Sequence, residues 1–293
     1  MIKSTLLLTI SSVFFFNASS SPSPILSGLA TEKIKPEEIV AKHLQSLGAP
    51  EALDLARSRV ITGTATVTLR AGGRGQLSGS ARLVSQGQKS LIDMTFGALD
   101  YPAEKIGFDG NKLTVSQVRP GVRTIFGRYL LTNEELFKEG LLGGVLSTAW
   151  PLLDLSKRNL KLQYDGIKNV NSRQVHQLKF RARNSDIGVS LHFDPETFQH
   201  VGTTYKQTLN PTVASNKPGQ SVDQEDTRIT ITEAFSDFRT EGGLNLPHRY
   251  QLELEIIAGR TSMFYEWAIE LTKFAFGDPI GSNEFNADAE AKR

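Results

Sequence analysis

Alternation of apolar residues with threonine begins at Val60 and constrains the rest of the chain. Ile61, Ala65, Val67 and Leu69 share one parity, and Thr62, Thr64, Thr66 and Thr68 take the other. A period of two belongs to a strand with one buried and one solvated face. The same kind of run recurs at residues 77–83, 90–96, 103–108 and 112–118. It returns at 160–164, 173–181, 188–193 and 199–208, and again at 227–238, 246–257 and 262–276. Turn clusters separate the runs, among them AGGRG at 71–75, Asp109-Gly110-Asn111 and Asp194-Pro195-Glu196. The runs read as one antiparallel system, and the helices are too few to cover a flat sheet of that width. The expected fold is mainly β (α+β): a strongly curved antiparallel sheet, or half-open β-barrel, of about a dozen strands closed by helices on its concave side.

Residues 130–155 (LLTNEELFKEGLLGGVLSTAWPLLDL) break the strand pattern. Leu141, Leu142, Val145, Leu146 and Trp150 fall on one helical face. Thr132 with Glu135 matches a capping box, with Leu131 and Leu136 as its hydrophobic staple. Gly143 and Gly144 interrupt the helix and Pro151 restricts its end. The segment predicts a helical insert over 119–158 that serves as core or as a lid, with Gly143 and Gly144 as the lid hinge. A first helix opens at Pro36, presents Ile39, Val40, Leu44 and Leu47, and ends at Gly48. A short second one starts at Pro50.

The N-terminus carries Lys3, an apolar run over residues 6–16, and small residues at Ala18 and Ser20. That is the pattern of a signal peptide cut after residue 20, with an uncleaved anchor as the alternative. No later stretch reaches the ~18 apolar residues of a membrane span. The expected organisation is a signal peptide at 1–20, a flexible leader at 21–33, one domain at 34–280 and a disordered tail at 281–293. The expected location is outside the cytoplasm, in the periplasm. With no cysteine among 293 residues, disulfides, thiolate metal sites, cysteine nucleophiles and cysteine lipidation are excluded. A net charge of +2 with signs mixed along the chain argues against nucleic acid as a partner.

No catalytic motif is present. G-x-S-x-G is absent, and Asp93 and Glu104 read as parts of a solvated sheet face. His176 and His192 fall on opposite parities relative to their apolar neighbours, which argues against a shared metal site. No cofactor and no metal are expected. The apolar positions carry more information. Val67, Met94, Phe96, Phe126, Leu142, Leu146, Trp150, Phe180, Phe193, Tyr205, Phe235 and Trp267 are the expected lining of an apolar ligand cavity.

Three stretches carry a family resemblance: IVAKHLQSLGAPEALDLARSRVITGTATV at 39–67, FDGNKL at 108–113, and FSDFRTEGGLNLPHRYQLEL at 235–254. They resemble the outer-membrane lipoprotein-sorting superfamily, the family of the periplasmic lipoprotein carriers. The resemblance implies a half-open barrel whose helices close an apolar cavity. In that family the cavity takes lipoprotein acyl chains, and related half-barrels handle other lipids or sense envelope stress. The expected function is an exported, non-enzymatic carrier or binding protein for lipid or lipoprotein acyl chains. The alternatives are an envelope stress-sensor or interaction module with a protein partner, and an envelope-polymer hydrolase.

Overall fold

The computed structural model describes residues 34–70, 74–158, 160–210 and 226–288. The expected signal peptide, the leader, the tip of the first hairpin and most of the polar loop after Asn210 lie outside the described residues.

Twelve strands form one antiparallel sheet. The first five are β1 (Ser58–Arg70), β2 (Arg74–Gln86), β3 (Lys89–Thr95), β4 (Ala103–Phe108) and β5 (Leu113–Val115). The rest are β6 (Gln163–Val170), β7 (Arg173–Arg181), β8 (Gly188–Phe193), β9 (His200–Leu209), β10 (Thr227–Glu241), β11 (Leu244–Ala258) and β12 (Thr261–Phe276). Within β1–β5 and within β6–β12 each strand pairs with its neighbour in sequence, giving two meanders. They are joined where β1 meets β12, with Val67 opposite Trp267 and Leu69 opposite Tyr265. The spatial order is therefore β5-β4-β3-β2-β1-β12-β11-β10-β9-β8-β7-β6.

That order corrects the expected half-barrel. β5 and β6 are the two outer edges, at opposite ends of the ladder, and they do not pair. The sheet is open, neither closed into a barrel nor strongly curled. Parity reports which face of a strand is buried, and it is silent on how far the whole sheet bends. The assumption about coverage failed for a separate reason. The chain between β5 and β6 must travel from one edge of the sheet to the other, so it is laid across one face.

It does this as a series of short pieces. α3 (Ile125–Thr132) sits on β4 and β5, α4 (Glu135–Lys138) follows, and a 3-10 turn at Gly144–Leu146 rests on β9 and β11. A second such turn at Pro151–Asp154 leads into the last piece, α5 (Leu155–Arg158). Spread this way, the insert covers more strands than one straight helix could. α1 (Pro36–Leu47) adds Ile39, Val40 and Leu47 over β11, and α2 (Pro50–Leu55) follows it. One large core cluster results, with Trp150, Trp267, Phe126, Phe193 and Phe235 fully enclosed, and Val84, Leu91 and Phe285 form a second, small one.

Three local readings also change. Thr132 does not cap a helix: it ends α3, whose N-cap is Thr124, accepting from the Gly127 N–H at 2.8 Å. Leu131, the expected staple, is exposed. The first strand after the insert lies further along than 160–164, because Gly166 at φ +84° accommodates a bulge where Asp165-Gly166 resembles a turn. Finally, part of the expected disordered tail is docked. Phe285 is fully buried with Val84 and Leu91, and the Ala287 N–H donates to Thr114 Oγ1 at 2.8 Å.

Candidate functional site

All twelve residues expected to line a cavity are buried in the large core cluster. They pack against other side chains more than they face open space. Phe126 packs tilted against Trp267 with ring centres 5.1 Å apart, and Trp150 stacks on His200 at 4.6 Å. Leu142 and Leu146 border a gap of about 20 Å³ beside Gly143. A space of that size holds roughly one water molecule. Phe180 borders a larger surface cleft that belongs to a different part of the molecule.

Beneath the insert lies a polar lock that the apolar pattern conceals. Glu233 on β10 is buried, with Tyr205 on β9 and Tyr250 on β11 beside it. Its Oε1 accepts from the Gly143 N–H at 2.7 Å and from the Tyr250 hydroxyl at 2.6 Å. Its Oε2 lies 2.7 Å from the Tyr205 hydroxyl oxygen, which also lies 2.9 Å from the Leu141 carbonyl oxygen. A tyrosine hydroxyl has one proton and cannot donate to both acceptors at once. A proton on Oε2 resolves this: Glu233 donates to Tyr205, and Tyr205 donates to Leu141. Burial favours the same form, pushing the carboxyl up to about 7 against the opposing effect of its hydrogen bonds. The group pins residues 141–143 of the insert to three central strands.

A second buried carboxyl works at the start of the insert. Glu104 on β4 accepts from Tyr101 at 2.6 Å and from Thr124 Oγ1 at 2.7 Å. The Trp267 indole N–H donates to Tyr101 at 3.1 Å. Burial pushes Glu104 up to about 7 as well, and pushes the Tyr101 hydroxyl up strongly. Glu104 is therefore the opposite of the solvated side chain expected, whereas Asp93 stays partly exposed, 3.8 Å from Lys105.

Further polar groups occupy the same interface. Arg59 is buried and donates to the Val145 carbonyl at 2.6 Å and the Ala56 carbonyl at 3.1 Å, its guanidinium lowered to about 10 by burial. His43 on α1 bonds the Phe198 carbonyl at 3.1 Å and lies 6.2 Å from His200, ring centre to ring centre. Burial lowers His43 to about 4 and holds His200 well below its ordinary value, so both are neutral. Arg59 through Val145, and His200 through its stack with Trp150, anchor the insert, whereas the His43 bond ties α1 to the turn before β9. Among the described residues no group of three or more His, Cys, Asp or Glu is placed to hold a metal ion.

The apolar opening lies next to the Glu104 lock. Leu69, Leu77, Tyr101, Ile125 and Tyr265 line a groove of about 540 Å³, with Leu99 at its rim. Leu99 is 94% exposed, so the loop after β3 presents a large apolar side chain directly to solvent. Arg123, also at the rim, donates to the Val115 carbonyl at 3.0 Å. β1, β2 and β12 contribute lining residues, as do the loop after β3 and the lead-in to α3. Of these residues, none was among the expected cavity positions. The polar locks were more legible. Glu233 shares parity with Ile229, Ile231 and Phe235, and Glu104 with Ile106 and Phe108, so each carboxyl interrupts an inward-facing apolar row.

No family model and no curated protein matches this chain. Solved structures do. A LolA superfamily protein from Nitrosomonas europaea is 12% identical, covering 86% of this chain and 98% of its own, with a TM-score of 0.46. A DUF1329 family protein from Desulfovibrio piger is 9% identical, covering 85% and 96%, with a TM-score of 0.37. The Mycobacterium tuberculosis lipoprotein LppX is 10% identical, covering 85% and 100%, with a TM-score of 0.24. At these scores the overlap says nothing about site or ligand. Over most of its length, and at low identity, the chain is similar in structure to LolA, lipoprotein-sorting and LppX-like proteins.

Proposed function

We propose that the protein is an exported, non-enzymatic binding protein or carrier for the acyl chains of lipids or lipoproteins, acting in the periplasm. The observation that carries this reading is the apolar groove at the start of the insert, with Leu99 exposed at its rim. An exposed leucine above a recess lined by Leu69, Leu77, Ile125 and Tyr265 suits a flexible apolar chain. Each methylene removed from water there contributes ~0.8 kcal/mol before the costs of binding. In this reading the groove is the entrance. The packed space between the open sheet and the insert is the closed state, its wall supplied by the twelve core residues named above. The insert turns as a lid at Gly143 and Gly144, and the Glu233 bond to the Gly143 N–H is the contact that must release.

Displacement of a fluorescent fatty acid tests the entrance. Leu99→Glu is expected to weaken binding by about ten- to a hundredfold, since a charge replaces ~1.5–3 kcal/mol of apolar burial. Equal affinities for the variant and the parent chain would remove the groove from the pathway. A stable protein partner recovered without lipid would favour an interaction module instead.

A further inference from the structure

A second cleft, of about 630 Å³, lies where the end of the insert meets β7, away from the apolar groove. Its lining residues are Arg158, Leu160, Lys161, Gln163, and Lys179 through Arg183 with residue 182 omitted. Five of these eight are cationic and none is anionic, in a chain that holds 33 basic and 31 acidic residues. The concentration is local and made by folding: Arg158 and Lys161 lie some twenty residues before Lys179, Arg181 and Arg183 in sequence, and all five line one recess.

The cations are held in place largely by neutral acceptors. Arg158 donates to the Ala149 carbonyl at 3.0 Å, and Arg183 donates to the Arg158 carbonyl at 3.1 Å. Arg181 reaches the Asp186 carbonyl at 3.4 Å. Carbonyl acceptors position a guanidinium without cancelling its charge. Two carboxylates pair with the five cations, Glu139 3.6 Å from Arg183 and Asp165 2.6 Å from Lys179, and Asp154 with Glu139 also acts on Arg158 at longer range. Lys161 is exposed and has no ion-pair partner among the described residues. Leu160 and Phe180 add apolar surface to the same recess.

We propose that this cleft binds a phosphate-bearing anion, presented to it as the headgroup of an anionic lipid. Preset guanidinium forks match phosphate oxygens in pairs, and the lysines add charge attraction at longer range. Leu160 and Phe180 meet the first carbons beyond the phosphate. The cleft and the apolar groove share no residue, so either can fail alone, although Phe180 also belongs to the core named above as the wall of the closed cavity.

The test is co-sedimentation of the full chain with phosphatidylglycerol–phosphatidylcholine vesicles, against phosphatidylcholine alone. Lys161→Glu with Arg181→Glu changes the cleft at two exposed side chains. Lys112→Glu with Lys273→Glu makes the same charge change at exposed positions elsewhere. Circular dichroism checks the fold, and Lys161→Gln with Arg181→Gln replaces the first pair if it unfolds. The parent chain and the control pair are expected to bind the anionic vesicles, with binding by the cleft pair at least tenfold weaker. In a parallel arm, amide shifts are followed by NMR as glycerol 3-phosphate is added. Shifts at residues 158–163 and 179–183 support the phosphate chemistry and assign it to a free ligand too; vesicle binding without such shifts supports it and restricts it to lipid. Equal losses for the cleft and control pairs, equal binding to both vesicle types, or no binding by the parent chain in either arm would overturn the proposal.

Discussion

Replacing Glu233 by glutamine tests the central lock of the insert. The glutamine side chain would keep one oxygen for the Gly143 N–H and the Tyr250 hydroxyl, and its amide would donate to Tyr205 as a protonated Glu233 does. The geometry calls for the neutral carboxyl, and burial raises its pKa from 4.5 to about 7. The sign follows from proton counting. Between those two values the folded chain holds a proton that the unfolded chain has lost, so the carboxyl's contribution to stability falls as pH rises through that window. It is fully present below about 4.5 and gone above about 7. The separation corresponds to about 3 kcal/mol, to within a factor of about two for so buried a group.

Buried histidines slope the other way in an overlapping window. Desolvation lowers His43 and His192 to about 4, so their contribution is present above about 6.5 and lost as pH falls. The raw profile therefore mixes opposite trends, and the difference between variant and parent isolates Glu233. Urea unfolding from pH 4.5 to 8 is the assay. Glu233→Gln is expected to match the parent near pH 4.5 and to exceed it by up to about 3 kcal/mol at pH 8. A variant destabilised by about 2 kcal/mol or more at pH 8, with an unchanged pH slope, would show that the charged carboxylate is the native form.

Other substitutions separate hinge, packing and docking. A Cβ at Gly143 meets open space, so Gly143→Ala bears mainly the cost of its φ of +83°, ~1–2 kcal/mol in thermal or chemical unfolding. A Cβ at Gly144 would sit 2.9 Å from the His200 and Phe235 rings, so Gly144→Ala should cost clearly more; equal costs would refute the close packing there. For the lid, Gly143→Ala is the cleaner probe, expected to slow fatty-acid exchange in stopped-flow fluorescence while the fold persists. Phe285→Ala is expected to destabilise by ~3 kcal/mol, since its ring is fully buried against Val84 and Leu91; a loss under ~1 kcal/mol would mean the tail adds little.

Twelve strands and the hairpin turns were readable from period and turn chemistry. Asp109 illustrates the reason: its side chain accepts from the N–H groups of Asn111 and Lys112, so the turn is encoded within four residues. The β1–β12 pairing is a contact between chain segments some two hundred residues apart, and no local pattern announces it. Without that pairing, the insert's path from edge to edge was hidden, and so was its role as a cover over an open sheet. The carboxyl locks stood in plain view as charged interruptions of apolar parity at Glu104 and Glu233, but a lone charge on a strand is usually solvated. The basic cleft was unreadable for the opposite reason. Its cations come from two stretches of sequence, one around Arg158 and Lys161 and one at Lys179, Arg181 and Arg183, which only folding brings to one recess.

Native mass spectrometry of the full chain, purified without harsh detergent, tests the acyl-chain reading most directly. The expected result is a bound species whose added mass disappears on organic extraction, with the extract containing an acyl lipid. A chain that carries no added mass, and that also fails to take up a fluorescent fatty acid, would contradict it.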